Sequence, residues 1–166
     1  VMQVYVPATL AMLQRLVADG SLWPVNGTAF AVTPKLRESY AEGDDDELAE
    51  VALQEAALAS LRLLADDAGQ GLPPRRAVIA AEVDAATYRP DLDDAVVRLS
   101  APVAMDRVVA AYVDNAAAEP AVTAAIAVID AADLGDEDAE LVVGDAQDHD
   151  LAWYANQELP FLLELL

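Results

Sequence analysis

The sequence reads as an α+β protein: a single globular domain over residues 1–166, built on a mixed sheet of four or five strands with helices covering at least one face. Three observations predict this. Helical and strand patterns alternate early in the chain, and strand patterns cluster later. Ala77–Val83 (AVIAAEV) is a near-continuous apolar run, the signature of a central strand buried on both faces. Apolar residues make up 55% of the 166, so the chain can bury a core despite a formal net charge of −21.

The elements follow in order. Met2–Val6 alternates and is β-rich, which predicts a strand ended by Pro7. Thr9 caps a helix in which Leu10, Leu13, Leu16 and Val17 share a face, and Gly20 stops it. Ser21–Gly27 is a loop with Trp23-Pro24, and Thr28–Val32 is a second strand. Thr33-Pro34 opens a short helix running to near Gly43, with threonine as cap and proline in the first turn. Asp44–Asp46 then starts a long helix over about residues 46–66. Glu47 stands at capping-box spacing from Asp44, and negative charge suits a helix N-terminus. The acidic run therefore needs no functional explanation.

Ala68–Pro74 is a loop, followed by Arg75-Arg76 and the central strand. Asp84–Asp94 is a polar connection and Val96–Ser100 a strand. Val108–Val113 suits helix or strand, and its β-branched residues favour strand. Pro120–Ala131 is helical, Asp133–Glu140 an acidic loop or turn. A last helix starts at Asp145 or Asp148 and runs to about Glu158. Pro160 breaks it before an apolar tail, Phe161–Leu166. Val1 ahead of Met2 reads as an alternative start or a cloning residue.

The charge balance, 30 acidic against 9 basic side chains, removes several function classes. Nucleic-acid binding needs clustered Lys and Arg to release counterions, so no nucleic acid is expected; anionic membranes are disfavoured likewise. A basic protein partner suits the charge, although high net charge also simply keeps a protein in solution. Without cysteine there are no disulfides or thiolate sites, which fits a reducing compartment. No apolar stretch is long enough to span a membrane, and no secretory pattern opens the chain, so a cytoplasmic location is expected.

Cofactor patterns are missing as well. There is no GxxxxGK[ST] and no GxGxxG, so no cofactor is expected. Zinc lacks ligands in a chain with one His and no Cys. A calcium loop starting at Asp130 places Gly135 correctly but puts Ala132, Leu134 and Leu141 where oxygen ligands belong, so no metal site is expected. A Ser-His-Asp arrangement would have to use His149, and none of Ser21, Ser39, Ser60 and Ser100 lies in GxSxG.

Two groups of residues remain as candidate ligand-binding positions. On the last predicted helix His149, Trp153 and Gln157 recur at i, i+4 and i+8, with Tyr154 in the adjacent row. Arg37, Tyr40 and Arg62 could form one cationic place on an acidic protein, suited to an anionic small ligand. The simpler use of these side chains is structural: Trp153 as a core anchor, the arginines in salt bridges. The tail residues Leu159, Phe161, Leu162, Leu163, Leu165 and Leu166 are too many to leave exposed on a monomer, so they fold back onto the core or make a homodimer contact.

Three segments carry a resemblance: Val4–Leu10 (VYVPATL), Ala29–Leu48 (AFAVTPKLRESYAEGDDDEL) and Asp148–Pro160 (DHDLAWYANQELP). Together they resemble a family of small acidic actinobacterial proteins of unknown function, over nearly the whole chain. The resemblance implies a single-domain cytosolic bacterial protein and supplies no activity, cofactor or catalytic residue. The leading expectation is a non-enzymatic acidic protein that binds a protein partner or itself. The alternatives are a small-molecule binder or enzyme with a pocket near the last helix, and a nucleic-acid mimic.

Overall fold

The computed structural model describes residues 1–40, 42–66 and 71–166. The alternating residues Met2–Ala8 form β1, with Val4, Val6 and Ala8 in one apolar layer and Tyr5 in the other. The strand does not end at Pro7. Ser60 Oγ donates to Ala8 O (2.6 Å) and accepts from Ala77 N–H (3.0 Å), so Ala8 faces β4 (Ala77–Val83). By alternation Pro7 faces the other neighbour, β3 (Thr28–Phe30), which pairs with β1 only at Tyr5↔Phe30. Nothing there requires the N–H that proline lacks.

Thr9 caps α1 (Leu10–Asp19) by accepting from Met12 N–H, and Gly20 closes it in the left-handed conformation, φ 79°. A two-residue strand, β2 (Ser21–Leu22), and a 3-10 turn at Val25–Gly27 occupy the expected loop. Gly27 has φ 69°, and a Cβ there would meet Leu99 O at 2.9 Å, so both its backbone angle and its neighbour require glycine. Thr33 caps α2 (Pro34–Ser39), which ends before Gly43. Asp44 caps Glu47 N–H as α3 (Asp45–Asp66) begins. The loop expected at Ala68–Pro74 lies partly outside the described residues.

Beyond β4 come β5 (Thr87–Tyr88), β6 (Val96–Arg98), β7 (Val103–Ala104) and β8 (Val108–Val113). Helix α4 covers Glu119–Asp133, as the pattern predicts, but three later expectations are overturned. The acidic segment read as a loop contains α5 (Glu137–Gln147), capped by Asp136. The segment read as the last helix contains a strand, β9 (Ala152–Ala155), paired with β8, and a 3-10 turn at Asn156–Glu158. Pro160 does not stop a helix; it sits in the first turn of one, α6 (Leu159–Glu164).

The main sheet has seven strands in the order β5-β6-β3-β1-β4-β8-β9, and β2 pairs with β7 in a small ribbon. It exceeds the expected four or five strands because β5 is very short and β9 carried a helical pattern. Every pairing among the described residues is antiparallel, which corrects the expected mixed sheet. A single-helix crossover would set neighbours parallel, but β1 and β4 are separated by several elements, α1, β3, α2 and α3 among them. β4 lies between β1 and β8 with five of its seven residues buried, the expected central strand.

Helices cover both faces. Leu10, Leu13 and Leu16 of α1 and Leu159 and Leu162 of α6 pack on the layer of Val4, Val6, Ile79 and Val113. On the opposite face Leu48, Ala52, Leu53 and Ala56 of α3 pack on Tyr5, Phe30, Val78 and Ala80. Leu61 of α3 continues into a third layer with Val122 and Ile129 of α4 and Val143 of α5. Alanines at these contacts let helix and sheet approach closely, so the core rests on few large side chains. No helix among the described residues is long and apolar enough to cross a membrane.

Candidate functional site

The residues that sequence spacing grouped together are dispersed. Arg37, on α2, donates to Asp45 Oδ1 at 2.6 Å on the exposed start of α3. Arg62, near the end of α3, makes a bidentate pair with Asp133 at the end of α4 (3.0 and 2.9 Å). From Asp45 to Arg62 the helix rises roughly 25 Å at its usual pitch, so the two guanidiniums cannot meet on one ligand. Tyr40, the residue after α2, is exposed. It lines a shallow cavity of about 460 Å³ beside Asp44, Asp46, Glu47 and Glu50 over Leu48 and Val51, an acidic rim on an apolar floor.

The row predicted at His149, Trp153 and Gln157 needs a helix that does not form. On β9 successive side chains alternate, so Trp153 and Tyr154 point to opposite faces. Trp153 lies opposite Tyr112 of β8 and is 56% exposed, while Tyr154 is half-buried against the core beneath α1 and α6. Gln157 is exposed in the following turn. His149 takes part through its backbone: its carbonyl accepts from Arg76 Nη2 at 2.7 Å.

That contact belongs to a buried ion pair that sequence reasoning missed. Arg76 and Asp114 have side chains 1% and 0% exposed. Asp114 accepts from Arg76 Nε and Nη2 and from its backbone N–H, each at 2.8 Å, while Asp114 N–H donates to Arg76 O. The pair sits where β4 starts and β8 ends, and through His149 it reaches the segment entering β9. Its sequence trace was the arginine just before the central apolar run and the aspartate just after Val113. Two of the four serine candidates have structural duties. Ser60 commits its hydroxyl to β1 and β4, and the one proton of the Ser39 hydroxyl is shared between Asp94 Oδ2 (2.7 Å) and Lys35 O (3.1 Å).

Electrostatics divide the surface. Among the described residues seven of the nine cations form ion pairs, each with a different carboxylate: Lys35 with Glu38, Arg37 with Asp45, Arg62 with Asp133, Arg75 with Glu119, Arg76 with Asp114, Arg89 with Asp91, and Arg107 with Asp84. The hydrogen bond from Arg62 holds the Asp133 carboxyl below the usual carboxylate range. Burial, reinforced by Asp93, pushes Glu55 up despite Arg62 nearby. Burial likewise raises the phenols of Tyr5 and Tyr112, helped by Glu50 on α3. Tyr5 Oη accepts from Gln3 Nε2 at 2.9 Å.

The chain carries no Lys or Arg after Arg107, while acids continue to the end. Asp114, Glu119 and Asp133 are answered by arginines from earlier in the chain. Asp136, Glu137, Asp138, Glu140, Asp145, Asp148, Asp150, Glu158 and Glu164 have no cationic partner among the described residues. The chain after Arg107 is thus negative, and it carries exposed Leu141 on α5, Trp153 on β9, and Phe161 and Leu165 at α6. No group of three or more potential metal-ligating side chains is placed to hold an ion among the described residues.

A protein-family model matches residues 2–163, and the family it represents has no assigned function. No curated protein and no solved structure matches the chain.

Proposed function

The chain belongs to DUF6912, a family of unknown function, and from that premise we propose that it is a non-enzymatic binding protein whose partner is a basic protein. One observation carries the reading: most of the cations are spent in pairs, and the chain from Val108 onward carries carboxylates with no cation of its own, together with exposed apolar side chains. A surface of one sign steers oppositely charged partners and repels like ones, and aromatic or aliphatic groups within it supply contact area once they dock. The same charge opposes self-association through these segments, so a basic partner is the better reading than a homodimer. A cytoplasmic setting suits a chain without cysteine.

A pocket-based function has less support. Arg37 and Arg62 do not converge, and His149, Trp153, Tyr154 and Gln157 do not line one wall. The test is capture from a lysate of the source organism at low and at high salt, followed by rebinding of each purified candidate. A basic protein retained at low salt, released at high salt and rebound when pure is expected. Capture only of acidic or neutral proteins, with binding indifferent to salt, would overturn the proposal.

A further inference from the structure

Strand β9 closes one edge of the seven-stranded sheet, with β8 on one side only. Ala155 N–H donates to Glu158 Oε1 at 2.9 Å, so it points away from β8. In an antiparallel ladder the outward-facing residues recur every second position, which turns the N–H and C=O of Trp153 outward as well. Natural edges are blunted by lysine, proline or a covering element. Ala152–Ala155 (AWYA) contains none of the charged or proline blocks, and only its far end is closed, by Glu158. The side chain at the open position is an exposed tryptophan on the face shared with Tyr112. Asp148 and Asp150 precede the strand and Glu158 follows it, all exposed, with no lysine or arginine in this part of the chain.

We propose that the β9 edge accepts an extended segment of a basic partner as an eighth strand, paired through the backbone of Trp153. This rests on the reading of the chain as a binder of basic proteins and names where and how it binds. Backbone pairing supplies the register. The Trp153 ring packs against the cross-strand side chain, and Asp148, Asp150 and Glu158 favour lysine or arginine at the flanking positions. A second copy of this chain would set those same carboxylates against each other across the edge, so charge selects a partner of opposite sign.

Two synthetic peptides of equal charge separate the edge from the charge: one alternating lysine with valine, which can form a strand, and one alternating lysine with proline, which cannot. Binding to the full chain is measured by calorimetry, with amide hydrogen exchange over Ala152–Ala155. The lysine–valine peptide is expected to bind about tenfold tighter and to protect the Trp153 amide. Trp153→Pro, tolerated where an edge N–H faces solvent, should remove that preference. Trp153→Ala, which keeps the donor, should retain part of it and covers the case in which the proline variant fails to fold. Equal, salt-sensitive binding of both peptides would overturn the edge and leave the basic-partner reading standing. No binding of either would overturn both. Protection of Trp153 without peptide, in a dimer seen by sedimentation, would overturn the proposal in favour of a second copy.

Discussion

Arg76 and Asp114 show what a single pair can fix. Neither reaches water, so each charge depends on the other and on the backbone groups around it. Removing one partner leaves an unanswered buried charge, which costs far more than the pair contributes. Arg76→Met is expected to lower stability by about 3–5 kcal/mol in urea unfolding followed by circular dichroism. Arg76→Met combined with Asp114→Leu should recover part of that loss, since no charge then remains buried. Recovery stays incomplete because the Arg76 N–H and the His149 carbonyl lose their partners. An Arg76→Met effect no larger than that of an exposed pair such as Arg89–Asp91 would show that the pair is not dry. Neither residue is distinguished by its own segment, because burial and partnership are properties of two strand ends brought together.

At the scale of elements, capping chemistry reads the same wherever it occurs. Asp44 and the acidic first turn of α3 identified that helix, and Asp136 with Glu137, Asp138 and Glu140 marks α5 by the same physics. The second is legible by the same rule, although the density of acids alone suggests a loop or turn. β9 was not legible, since its residues also fit a helical period, and pairing with β8 decided the matter. The tail divides by face. Leu162 is 6% exposed against α1, whereas Leu165, the C-cap of α6, is 85% exposed. Leu162→Ala is expected to cost about 2–3 kcal/mol, and Leu165→Ala less than about 0.5 kcal/mol, in the same urea assay. Equal costs would mean that the tail is packed differently in solution.

For the whole molecule, a formal charge of −21 on a folded chain is a standing self-repulsion, uneven because the cations end at Arg107. Added salt screens it. Melting temperature should therefore rise with sodium chloride, and about 1 kcal/mol of relief would appear as ~3 °C for a chain of this size. A fall with salt would mean that the surface ion pairs outweigh the repulsion. The raised Glu55 works in the same direction: its carboxylate is disfavoured in the folded state, so its contribution is greatest in acid and is lost as pH rises through its folded value.

Local sequence determined the α+β class, the caps at Thr9 and Thr33, the long α3 helix and β4 as a central strand. Each depends on neighbours a few residues apart or on a run of one polarity. Only the tertiary structure decided the rest. Sheet order, the antiparallel direction of every pair, the strand at Ala152–Ala155, the Arg76–Asp114 pair and the separation of Arg37 from Arg62 depend on which distant segments meet. Spacing along a chain places side chains together only if the element that spacing assumes is the one that forms.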